Sequence, residues 1–167
     1  QGLLLLMRRN ANFAWINLES VVVQFCSFTI ALSLPYALPA AGWPEIASGA
    51  MLSLWALGVL GGSGVAPLLL RHMNLQAVGN LAQGLMALGL ALIGALSMAQ
   101  AWPLMALALL LQGLGLGVFQ VVYADKVVAT LPYSARGLSG SLTLVTRTVG
   151  IVAAALIWLW LMELLQN

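Results

Sequence analysis

The sequence predicts an all-α fold, a polytopic transmembrane bundle of about five spanning helices, and three observations carry that prediction. Hydrophobic residues make up 62% of the 167 positions and charged residues only 6%. Mean hydropathy is +1.03, far outside the range of water-soluble chains. The apolar residues also gather into runs of the ~20 residues that a helix needs to cross a bilayer, separated by short polar or proline-marked junctions.

Taken in order, residues 1–11 read as the end of a cytoplasmic linker, and the runs fall at about 12–38, 45–70, 74–98, 103–130 and 134–163. Pro35, Pro39, Gly42 and Pro44 close the first run; Arg71, His72 and Asn74 separate the second from the third. Gln100, Trp102 and Pro103 mark the next junction, and Pro132 with Ser134 the last. Junctions this short imply antiparallel neighbours in one membrane domain, residues 12–167. QGLLLL at the start is too short to span and is followed, not preceded, by its basic pair, so it does not read as a signal peptide. It reads as the cut end of something longer.

Orientation follows from the basic residues. Arg8 and Arg9, then Arg71, then Arg136 fall at alternate junctions, which makes that side cytoplasmic. Trp43, Glu45 and Trp102 fall on the other side, and Trp158, Trp160 and Glu163 at the far end of the last run, as in an interfacial aromatic belt.

Charges inside the runs are the candidate functional residues. In the first run Asn12, Glu19, Cys26 and Ser33 repeat every seven positions, and Trp15, Val22, Thr29 and Tyr36 widen that face. Phe13, Val21, Phe28 and Leu32 then fall on the lipid side. Such a stripe is either a helix-packing seam or the wall of a polar cavity. Glu19 lies ~12 Å and Arg147 ~15 Å from the cytoplasmic starts of their runs, so the two are expected to pair if their helices are neighbours. Asp125 and Lys126, adjacent in the fourth run, point about 100° apart and need different partners. Both readings of the four charges stay open: an ion network that holds helices together, or residues that couple a proton or substrate.

Glycines supply the packing surfaces: Gly58, Gly61, Gly62 and Gly64 in the second run, Gly113, Gly115 and Gly117 in the fourth, Gly137 and Gly140 opening the fifth. QGLGLG lacks the strand and Lys-Ser/Thr of a phosphate loop. Cys26 alone excludes an internal disulfide framework. His72 has no nearby ligand set, and no serine has a credible base beside it. No enzyme activity, metal site, nucleotide or flavin cofactor, or nucleic-acid partner is expected.

Two segments carry a family resemblance. LLLLMRRNANFAWINLES resembles the linker and start of the seventh helix of major facilitator superfamily transporters, especially the multidrug drug:proton antiporter branch. GLGLGVFQVVYADKVVATLPYSARGLSGSLTLVTRTVG resembles that branch's tenth and eleventh helices: a glycine ladder, Phe119 and Gln120, a Pro132 loop ending in Arg136-Gly137, and an Arg-x-x-Gly element at Arg147 and Gly150. The resemblance covers nearly the whole chain. It implies the carboxy-terminal half of a proton-coupled efflux transporter of a bacterial inner membrane, with Glu19, Gln24, Gln120, Tyr123 and Asp125 on the cavity wall and Arg147 as counter-charge. Arg71 and Arg136 would belong to the cytoplasmic gate loops, although the first of these loops keeps only Arg71 of the family's pattern. Asp125-Lys126 stands where the branch tends to carry neutral amides. The expected partners are the lipid bilayer, the amino-terminal half and last helix of such a transporter, and a small organic substrate, with the proton gradient as energy source. A non-transporting scaffold or decayed transporter, and an uptake permease for sugars or metabolites, are the alternatives.

Overall fold

A computed structural model describes residues 11–96, 101–131, 137 and 139–166. Its fold class is all-α, with no strand among the described residues. The helices are α1 (Ala11–Ala40), α2 (Glu45–His72), α3 (Leu75–Leu96), α4 (Trp102–Thr130) and α5 (Ser139–Gln166). Each is long and apolar enough to cross a membrane, and the chain is a multi-pass membrane protein.

The ends of the helices have local causes. α1 continues through Pro35 and Pro39, two residues beyond the expected end. Each proline removes one helical donor, a loss that membrane helices absorb through neighbouring helices and local adjustment. The helix stops at Gly42, the described residue with positive φ (83°), a conformation that costs glycine nothing. Gly42 N donates to Pro39 O (2.9 Å) and Trp43 N to Leu38 O (3.0 Å), which satisfies two carbonyls of the last turn. Glu45 in the first turn of α2 and Arg71 and His72 in its last turn both complement the helix dipole. Asn74 caps α3: its Oδ1 accepts from Ala77 N at 2.7 Å. α5 is described from Ser139 onward. Arg8, Arg9, Pro132, Ser134 and Arg136 lie outside the described residues.

The chain divides into two compact units, Gln1–Thr29 with Tyr123–Asn167, and Ile30–Val122. In the second, Ile30, Leu34, Leu38, Met51, Met105 and Leu109 form a buried cluster against which Trp43, Trp55 and Ile93 pack. Glycines set the spacing of α2 and α4 there. A Cβ on Gly58 would come 2.7 Å from Leu110 O, and Cβ atoms on Gly113 and Gly117 would run into the backbone at Trp55 and Val59. Gly62 sits equally close to Leu114, whereas Gly61 makes only ordinary contact with that leucine's side chain, 3.5 Å. Across the other face of α4, Gly115 meets Met86 and Ala82, and Gly89 of α3 meets Gln112.

Candidate functional site, a polar cluster between membrane helices

The first unit contains the polar groups. The buried face of α1 there runs Phe13, Asn17, Ser20, Val23, Gln24 and Ser27, steps of three and four that follow the helical repeat. Phe13, expected toward lipid, is buried, while Trp15 and Val22 are 71% and 51% exposed and so lie off the packed face. In the other unit Tyr36 is likewise exposed. A seven-residue step drifts by about 20° per heptad on a straight helix, so the stripe of Asn12, Glu19, Cys26 and Ser33 wanders off the packed face. Asn12 is exposed, and Glu19, Cys26 and Ser33 are half-buried flanks.

Three helices meet at Tyr123. Its hydroxyl donates to Asn17 Oδ1 at 3.0 Å and lies 2.9 Å from Thr146 Oγ1. Asn17 Nδ2 donates to Phe13 O at 2.7 Å, which fixes the amide's orientation and leaves Oδ1 as the acceptor. Tyr123 has one proton, so the set is satisfied when Thr146 donates to Tyr123 and Tyr123 to Asn17. Thr146 also has Leu142 O and Thr143 O within 3.1 Å, a second acceptor choice for its proton. The result is a buried hydrogen-bonded chain from α5 through α4 to α1, ending on a backbone carbonyl. Asn17 and Thr146 are missing from the sequence-based candidates; the spacing of Asn17, Ser20, Gln24 and Ser27 at three and four residues is the signal that would have found Asn17.

Beside this chain Lys126 Nζ lies 3.7 Å from Glu19 Oε2. The two side chains are 11% and 22% exposed, so water screens the pair poorly. This corrects the expected partnership of Glu19 with Arg147: the side chain of Arg147 is exposed on α5, and Lys126 of α4 is a cation beside Glu19. α5 packs along Leu142, Thr146, Gly150 and Ala154, and Arg147 follows Thr146 by one residue, about 100° around the helix. Asp125 is exposed, about 100° around α4 from Lys126.

No known protein family, curated protein or solved structure matches this chain.

The other sequence candidates divide by place. Gln24 is buried, and its Cβ meets the position a Cβ would take on Gly150, 2.8 Å away. That glycine lets α5 approach the backbone of α1 at Val21 O. Among the described residues, none comes within 4 Å of a Cβ placed on Gly137 or Gly140. Gln120 belongs to the other unit and is half-buried; Arg71 is exposed at the end of α2. That unit has its own buried polar contact, Trp55 Nε1 donating to Gln112 Oε1, with Gln112 fully buried. Among the described residues no three His, Cys, Asp or Glu side chains gather as a metal site would need.

Proposed function

We propose that the chain is part of a secondary active transporter, a proton-coupled exporter of drugs or other small organic molecules, built on the major facilitator plan that its sequence resembles. The single observation that carries this reading is the half-buried Glu19–Lys126 pair at membrane depth. Ionisable groups are expensive within a span, and those retained there tend to mark ion or substrate pathways. Glu19 is the group suited to take a proton. Ionised, it holds Lys126; protonated, it loses the Coulomb attraction and frees a cation beside the Tyr123 chain. That change of charge is what alternating access can use to favour one packing of the helices over another. On this reading the protein resides in a bacterial-type inner membrane, with residues 1–11 on the cytoplasmic side.

The test is a proton gradient imposed across vesicles containing the product of the whole reading frame, with a fluorescent cationic dye as cargo. Gradient-driven dye movement that is lost in Glu19→Gln supports the reading. Dye movement indifferent to the gradient overturns it.

A second reading, a membrane scaffold, draws on the Tyr123 chain, because a network whose donors and acceptors are matched also holds three helices together without any transport. It requires no gradient dependence, so the same experiment separates the two.

A further inference from the structure

The Lys126 ammonium donates no hydrogen bond among the described residues. Glu19 Oε2 stands 3.7 Å from its Nζ, beyond the roughly 2.7–2.9 Å of a charged hydrogen bond. Three N–H donors therefore sit where little water reaches them, an arrangement that favours a further acceptor. Both side chains keep some exposure, so the pair can be reached from the surface of its unit. The Tyr123 chain supplies no acceptor, because Asn17 Oδ1 takes the Tyr123 proton and the set is matched within itself. A cation in want of an acceptor selects an anion.

An anion is repelled while Glu19 is ionised, since two negative charges would share a poorly screened position. Once Glu19 takes a proton, the repulsion is gone and its carboxyl group becomes a second donor. The Lys126 ammonium and the Glu19 O–H then stand side by side, matching the two oxygens of one carboxylate. Among the described residues no other ionisable group faces the pair except Tyr123, already engaged. Asp125 is exposed about 100° around α4 from Lys126, and on α1 the nearest other titratable group is Cys26, two turns beyond Glu19. α5 packs through Leu142, Thr146, Gly150 and Ala154, none of them titratable, and its Arg147 is exposed.

The neighbours of Glu19 define the rest of the ligand. Trp15 and Val22 stand four residues before it and three after it, on the same side of α1, and both are exposed. They offer an indole and a branched side chain to an apolar body attached to the carboxylate.

We propose that the Glu19–Lys126 pair is a proton-linked site for an aromatic carboxylate. Binding adds one proton to Glu19 and one anion beside Lys126, so the net charge of the site is unchanged. The inference rests on the reading above in taking Glu19 as the group that exchanges a proton, and it gives that site a regulator: the bound acid keeps Glu19 protonated and arrests proton exchange there.

The test is equilibrium binding of radiolabelled naphthoate to the product of the whole reading frame in lipid nanodiscs, without a gradient, empty nanodiscs correcting for partition into lipid. Proton uptake is read by calorimetry in two buffers of different ionisation enthalpy. One proton taken up per naphthoate is expected, and because the complex holds that extra proton, affinity should fall about ten-fold per unit rise in pH. Lys126→Gln should weaken binding at least about ten-fold, and Lys126→Arg should keep it within about three-fold. Glu19→Gln should bind with neither proton uptake nor pH dependence, and Arg147→Gln should bind as the unsubstituted protein does. Naphthamide and naphthylmethylamine should fail to compete. Binding without proton uptake in the unsubstituted protein, or equal binding of acid and amide, overturns the site. Displacement by decanoate at lower concentration than by naphthoate overturns the aromatic acid in favour of a fatty acid. Glu19-dependent, gradient-driven dye movement in a protein that binds no naphthoate overturns this inference and leaves transport standing; naphthoate binding with its proton, and no gradient-driven movement, does the reverse.

Discussion

Lys126 Nζ faces Glu19 Oε2 across 3.7 Å, joining α4 to α1 within the span. Removing one member of such a pair leaves the other without its counter-charge where water is scarce, whereas removing both leaves neither. Lys126→Gln and Glu19→Gln are therefore each expected to lower thermal stability in detergent more than the double substitution does. The predicted coupling is about 0.5–3 kcal/mol, read from a double-mutant cycle. Additive losses would mean that the two charges do not interact.

Arg147, by contrast, is exposed on α5. Arg147→Gln is expected to change stability by no more than about 0.5 kcal/mol, the usual effect of a substitution on an exposed face. A loss comparable to that of Lys126→Gln in the same unfolding assay would restore Arg147 as the partner of Glu19.

Tyr123→Phe deletes the hydroxyl shared by Asn17 and Thr146 and leaves a buried amide oxygen without its donor. A cost of about 1–3 kcal/mol is expected. Replacing the acceptor as well, in Asn17→Leu/Tyr123→Phe, should cost less than the two single losses added together. Chemical unfolding monitored by circular dichroism measures both.

Gly150→Ala would put a methyl group 2.5 Å from Val21 O and must push α5 away from α1. It should lower the yield of folded protein in size-exclusion chromatography and also its melting temperature. Gly84→Ala is the matched control: it sits within α3 with nothing within 4 Å of the new carbon, and should stabilise by up to about 1 kcal/mol through helix propensity.

The five spans, their order and most of their ends could be read from the sequence, because hydropathy acts over twenty residues and survives errors of a few positions. Which face of each helix is buried was less legible. In α1 the heptad of Asn12, Glu19, Cys26 and Ser33 competes with the three-and-four pattern of Asn17, Ser20, Gln24 and Ser27, and only the packing against α4 and α5 decides between them. The partner of Glu19 was hidden for a related reason. Depth matched it to Arg147, but depth fixes only the position along a helix axis, and the 100° step from Thr146 turns Arg147 away from the packed face. Gly61 and Gly62 make the same point at one residue's resolution, since only Gly62 abuts the α4 backbone.

The most direct measurement compares assembly and proton coupling in one protein, the Glu19→Gln/Lys126→Gln double variant. It should melt close to the unsubstituted protein and still exchange dye down a dye gradient in vesicles. A proton gradient should no longer drive accumulation in it. Gradient-driven accumulation at the unsubstituted rate, in a variant with neither charge, would contradict the assignment and leave Glu19–Lys126 as a tie between helices.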